Sequence, residues 1–278
     1  MSWWAIDVRT TAERRDVMSA WLVAQTGQAV EERDDGTLIT FAPDEASAEA
    51  LVAQLGREVD PAADARRRPL EQVDWSTRWR DGLRARHFGR LTVRPSWLPQ
   101  ASSPGPNSVI LDPETAFGSG EHGSTRVALA LLEQFIEPGD QVIDLGSGSG
   151  ILAIAAVKLG ASRAIGIESD PDANEVAARN AARNGVSGLV ELLEGDAGIL
   201  APLAGPADLL LSNILRTVNT RLLPAIIDAL RPGALAIFSG MEDVEAPLFR
   251  HQLASAGFKI VRETADEGWW GVAAEHSR

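Results

Sequence analysis

The most constraining stretch is "VIDLGSGSGILAIAAVKLG", residues 142–160. A short apolar run meets alternate glycines at Gly146, Gly148 and Gly150, and an apolar helical pattern follows at once. Glycine lets a chain turn tightly and approach a ligand closely, so the stretch reads as a strand, a ligand-cradling loop and the helix that opens on it. Downstream, "RAIGIES", "LVELLEG", "ADLLLSN" and "ALAIFSG" are further short apolar runs, with helical patterns such as "DANEVAARNAARNG" and "RTVNTRLLPAIIDALRPG" between them. Apolar strands alternating with helices imply a parallel sheet covered on both faces. The last stretch, "GFKIVRETADEGWWGVAAEH", reads instead as two strands and a short turn, an antiparallel pair at one edge. Trp269 and Trp270 are successive there and face opposite ways, one into the core and one half-exposed.

The first sixty residues differ. "WWAIDVRT" suits a strand, and "AERRDVMSAWLVAQTG" sets Val17, Trp21 and Leu22 at helical spacing with Gly27 as its stop. "AVEERDDGTLITFAP" suggests a hairpin turning at Asp34-Asp35-Gly36, and Asp44 is placed to cap a second helix. Strand, helix, hairpin and helix make most of a ferredoxin-like unit. From Ala63 to Arg94 nine arginines (66, 67, 68, 78, 80, 84, 86, 90, 94) stand against four acids, a local charge of +5 in a chain of net charge −13. This is either a surface for an anionic partner such as RNA or a solvated helix packed down by Trp75 and Trp79. "SWLPQASSPGPNS" then marks a seam. The expected layout is an α+β domain over 1–62, a linker over 63–105 and a Rossmann-like α/β domain over 106–278.

Composition narrows the class. The chain has 278 residues and no cysteine, so disulfides and thiolate chemistry are excluded. The acidic balance argues against a nucleic-acid-coating surface. No membrane-length apolar run and no signal-like leader is evident, so a cytoplasmic protein that works without membrane or metal is expected, as a monomer.

The acids around the glycine loop point to a ligand. The spacing G-x-G-x-G departs from the dinucleotide pattern G-x-G-x-x-G, which counts against a nicotinamide-dependent oxidoreductase. Asp144, two residues before Gly146, would offer a carboxylate to a ligand's ammonium group. Glu168 ends the next strand, where an acid can take both hydroxyls of a ribose. Asp196 could accept from an adenine amino group or cap a helix. Ribose, adenine and an amino-acid ammonium together describe S-adenosylmethionine. Asn213 ends the fourth strand, beside the expected reactive end. Methyl transfer to an amine needs alignment and a neutral nucleophile, and an amide oxygen can hold the amine's N–H groups. Deprotonating a lysine at pH 7 costs about 4–5 kcal/mol and an α-amine about 1.

"LDPETAFGSGEH", the glycine loop, "GIESDPDANEVAARNAARNGV" and "SNIL" together resemble the PrmA family, methyltransferases of large-subunit ribosomal protein L11. The match runs over nearly the whole chain, and "AFGSGEH" ahead of the loop is its most specific part. The resemblance implies a class I S-adenosylmethionine-dependent fold, with cofactor contacts at Thr125, Gly146, Glu168 and Asn213. It also implies trimethylation of lysines and of the N-terminal amine of that protein, gripped by the smaller domain. Phe117 and Gly118, in the upstream segment, are expected against the cofactor's methyl end with Gly148 opposite. His122 is either a proton relay or a residue that shapes the loop. The chain departs from the family in Gly123-Ser124-Thr125, where a Thr pair is usual, in Ser119 for Thr, and in Arg216 for Ala. Arg216 leaves open a different protein lysine or a small amine as acceptor. A silent ribosome-binding module using the arginine-rich segment is the remaining alternative.

Overall fold

The computed structural model describes residues 3–26, 30–33, 35–69, 83–98, 105, 107–114 and 116–276. It divides into two compact units, Met1–Arg78 and Trp79–Arg278.

The first unit runs β1 (Trp4–Arg9), α1 (Arg15–Thr26), β2 (Glu31–Glu32), β3 (Leu38–Ala42), α2 (Glu45–Glu58) and β4 (Asp64–Pro69). The strands form an antiparallel sheet in the order β2-β3-β1-β4, which completes the ferredoxin-like pattern. The expected boundary after residue 62 is therefore too early, because Asp64–Pro69 pairs along the length of β1. Asp44 caps α2 by accepting from Ser47 N at 2.8 Å. The inward stripe of α1 is Met18 and Leu22, and Val17 is exposed, because Ile6, Val8, Leu38 and Leu55 converge one position further on. Arg67 pairs with Glu45 and lies over the Trp4 ring, so this part of the basic run is strand surface. Gly27, Asp34, Trp75, Trp79, Arg78 and Arg80 lie outside the described residues, and with them the expected linker helix.

The second unit opens with a small sheet, β5 (Arg86–Phe88), β6 (Leu91–Arg94) and β7 (Ser108–Ile110), within a stretch expected to be mostly linker. Leu91, Val93 and Val109 are buried and join the core of the main domain. That domain continues with α3 (Gly123–Phe135), β8 (Gln141–Leu145), α4 (Ile151–Leu159), β9 (Arg163–Glu168) and α5 (Pro171–Arg183). Next come β10 (Val190–Glu194), α6 (Ala197–Ala204), β11 (Ala207–Asn213), α7 (Arg216–Ala229) and β12 (Leu230–Glu242). It closes with α8 (Ala246–Ser255), β13 (Phe258–Asp266) and β14 (Trp269–His276). Its seven strands lie in the order β10-β9-β8-β11-β12-β14-β13. β8 to β12 are parallel, and β14 and β13 are antiparallel. β13 is the edge strand, so Trp269 and Trp270 sit one strand inside it. Trp270 is buried and Trp269 half-buried, as the alternation of a strand requires. Both faces of the sheet are covered. Val142, Leu209 and Leu211 enter one core layer, and Ile143, Leu145 and Leu210 enter the other. α4 is apolar nearly all round because it is buried nearly all round.

Candidate active site

The chain reverses its direction of travel across the sheet between β8 and β11, and ligands of open α/β sheets bind at the carboxyl ends of strands near such a reversal. The glycine loop lies there. Gly146, Gly148 and Gly150 have φ of 67°, 52° and 78°, a region that L side chains avoid. Gly148 N donates to Glu168 Oε2 at 3.0 Å, which ties the loop to the end of β9. The upstream segment seats directly on this loop. Ser149 N donates to Phe117 O at 2.9 Å, and Ser149 Oγ donates to Gly118 O at 2.6 Å. A Cβ on Gly148 would stand 2.6 Å from Phe117 O, so the close approach itself demands glycine.

A cavity of about 580 Å³ opens between these segments and the ends of β9, β10 and β11. Phe117, His122, Gly146, Gly148, Glu168, Asp196 and Asn213 line it. Gly118, Thr125 and Asp144 do not. Gly118 turns away to receive the Ser149 hydroxyl, and Thr125 is fully buried behind Asn213. Asp144 lies beneath the glycine loop with Oδ2 accepting from Ala153 N at 3.1 Å, so its carboxylate is inside the fold instead of on the wall.

The polar groups of the wall are mainly acceptors. Glu168 Oε1 receives Ser169 N at 2.8 Å and Asp170 N at 3.1 Å. Asp196 caps α6, with Oδ1 accepting from Gly198 N at 2.6 Å, and still faces the cavity. Asn213 is 9% exposed. Its Nδ2 donates to Thr125 Oγ1 at 3.2 Å, which leaves Oδ1 buried with no partner. The β11–α7 turn that carries it is clamped by Asn219, which accepts from Ser212 Oγ at 2.6 Å and donates to the carbonyls of Ile214 and Ser239. His122 Nδ1 bonds Ser124 Oγ at 2.8 Å. Burial, and then the nearby Arg126 charge, hold its imidazole below the usual histidine range, so it is neutral at pH 7.

Some site residues were not legible beforehand. Trp269 and Leu215 line the cavity, Trp269 reaching it from β14, far away in sequence. Arg126, 9% exposed, pairs with Asp266 at 2.5 Å and Glu267 at 2.6 Å and donates to Glu121 O, fastening the start of α3 to the β13–β14 turn. Arg86 pairs with Glu121 on the same segment. An arginine in a helical pattern carries no signal of such a role, because its acidic partners are some 140 residues away. Among the described residues no group of three or more His, Asp or Glu could hold a metal ion.

The model of the ribosomal protein L11 methyltransferase (PrmA) family matches residues 2–277. The chain belongs to this family. A ribosomal protein L11 methyltransferase of Pelotomaculum thermopropionicum is 38% identical over 228 residues, covering 81% of this chain and 73% of that relative. One from Geobacter metallireducens is 35% identical over 97% of this chain and 96% of its own length. Among solved structures, a ribosomal protein L11 methylase from Lactobacillus delbrueckii subsp. bulgaricus is 31% identical, with a TM-score of 0.62 over 70% of this chain and 99% of that one.

The departures of this family member have local causes. A Cβ at Gly123 would meet Trp269 Cδ1 at 2.4 Å and Asp266 O at 3.0 Å, so the β13–β14 turn closes on a residue without a side chain. Arg216 is turned to Glu245, with Nε 2.9 Å from Oε1, and is not on the cavity wall. Ser119 Oγ accepts from Glu121 N at 3.2 Å, a bond that a threonine hydroxyl would serve equally.

Proposed function

We propose that this chain transfers methyl groups from S-adenosylmethionine to amines of ribosomal protein L11, lysine side chains or the N-terminal α-amine. The observation that carries the reading is the buried, unpartnered Oδ1 of Asn213 on the cavity wall. An orphaned acceptor there costs about 1–3 kcal/mol unless a ligand donates to it, and an amine N–H is such a donor. The cavity also suits the cofactor. Glu168 and Asp196 offer carboxylates to hydroxyl and amino donors, and Gly146 and Gly148 bring bare backbone to the cavity wall where a Cβ would collide with Ile214 or Phe117 O. Bound there, S-adenosylmethionine supplies an electrophilic methyl group on a sulfonium. Glu168 would hold the ribose, Asp196 the adenine amino group, and Gly146 and Gly148 the methionine end.

Asn213 would then orient the acceptor amine, and Thr125 keeps its amide from turning by taking Nδ2. His122 is a weak base in this setting, because its pKa is lowered, so shaping the wall suits it better than relaying a proton. The Arg216–Glu245 pair removes the feature that had favoured a different acceptor. The smaller unit would grip the protein substrate, and a ribosomal substrate would be met in the cytoplasm. No helix among the described residues is long and apolar enough to cross a membrane.

The test is incubation of the purified chain with purified L11 and isotope-labelled S-adenosylmethionine. Label should enter L11 amines. Asn213→Ala should lower turnover about 100-fold, the low end of the effect of removing one oriented polar group, and Thr125→Val less, about 10-fold, because it acts through Asn213. No label with cofactor bound would sink the proposal.

A further inference from the structure

One side of the cavity is aromatic, and of its rings only Phe117 has an expected place against the cofactor. Phe117, His122 and Trp269 all line it. The Phe117 and His122 ring centroids are 5.3 Å apart with the planes at 67°, and those of His122 and Trp269 are 4.3 Å apart at 57°. Successive rings therefore turn sharply against each other, and the three present a folded surface instead of a flat stack. The absence of a side chain at Gly123 is what admits the Trp269 ring to this position. One helical turn on, Thr125 holds Asn213, whose Oδ1 is unpartnered in a residue nine-tenths buried. Phe117 is 55% exposed, a large ring open to whatever enters. Arg126, beside His122, is committed to Asp266 and Glu267, and Arg221 is the cation on the cavity wall.

We infer that Phe117, His122 and Trp269 form a cage for the methylated ammonium group of the acceptor, with Asn213 Oδ1 taking whichever N–H remains. The inference rests on the amine-methylation reading above. In each round a C–N bond forms as the sulfonium C–S bond breaks. The electron pair leaves on sulfur, and one N–H proton passes to water. Asn213 thus loses donors as methyl groups accumulate, while a methylated ammonium gains contact with ring faces, whose quadrupoles attract it. The grip passes from a hydrogen bond to cation–π contact, so an acceptor already methylated is kept for another transfer.

The test uses the full chain loaded with S-adenosylhomocysteine, which carries no sulfonium. It is titrated calorimetrically with choline and with its neutral isostere, in which a tert-butyl group replaces the trimethylammonium. Choline should bind more tightly, and Phe117→Leu and Trp269→Leu should each weaken it roughly 3- to 10-fold, while Trp269→Phe retains it. Phe117 is exposed enough that its replacement leaves the core intact, and circular dichroism checks the Trp269 variants. In parallel, mass spectrometry of L11 at matched total methyl incorporation should show fewer methyl groups per amine in both leucine variants. Equal binding of the two probes, or choline binding unchanged in both leucine variants, overturns the cage. So does a selective loss of S-adenosylmethionine over S-adenosylhomocysteine affinity, which would assign the rings to the donor. If wild-type chain fails to label L11, the functional reading falls, and the choline titration still decides the cage.

Discussion

Asp144 has one oxygen bonded to Ala153 N and the other buried without a partner. Burial, with the charge of Glu168 adding to it, pushes its pKa up from 3.8 to about 8. The folded chain therefore holds this proton where the unfolded chain has released it. The stabilisation is complete below the unfolded value and is lost as pH rises through about 8. Asn at this position cannot ionise and can still accept from Ala153 N. Denaturant titrations at a series of pH values should show Asp144→Asn gaining on the parent chain between about pH 4 and 8. Parallel curves would reject the burial argument. The residue type and its place before the glycines were readable in the sequence. That the carboxylate lies beneath the loop was not, because burial depends on what α4 packs over it.

The two glycine-rich segments act as one element. Each was recognisable alone, yet their contact through Phe117 O, Ser149 and Gly148 joins stretches some 30 residues apart. Gly148 and Gly185 make a matched pair for testing it. Both have positive φ, 52° and 67°, but a Cβ at Gly185 would meet nothing within 4 Å, whereas at Gly148 it would meet the Phe117 carbonyl. Gly185→Ala should cost about 1–2 kcal/mol of backbone strain and keep cofactor binding. Gly148→Ala should cost more and lose cofactor binding, read by thermal unfolding and calorimetry. Equal effects would mean that strain alone explains both. The same logic separates the helices that were legible from the stripe that was not. The Asp44 cap announced α2 and the glycine loop announced α4, but Met18 displaced Val17 from the α1 core stripe because the sheet beneath selects the face.

At the scale of the molecule, every residue lining the cavity belongs to the unit Trp79–Arg278. A chain beginning at Trp79 is expected to bind S-adenosylmethionine within about 3-fold of the full chain and to lose most methylation of L11, because binding energy from remote contacts is what presents a protein substrate. Retained methylation would remove the substrate-gripping role from the smaller unit. The sequence by itself determined the α/β alternation, the glycine loop, the acids at the ends of β9 and β10, the amide at the end of β11 and the family. These are local signals, written in short-range periodicity and in what one strand end can hold. Only the tertiary structure decided that Thr125 supports Asn213 from behind and that Arg86 is in a strand. It also decided that Trp269 reaches the cavity wall from β14 and that Arg126 fastens α3 to the β13–β14 turn. Those outcomes depend on partners far away in the chain, brought together by sheet order and packing, and no local pattern encodes which partner arrives. The two glycine-rich runs are thereby one docked wall, with an aromatic face that β14 completes.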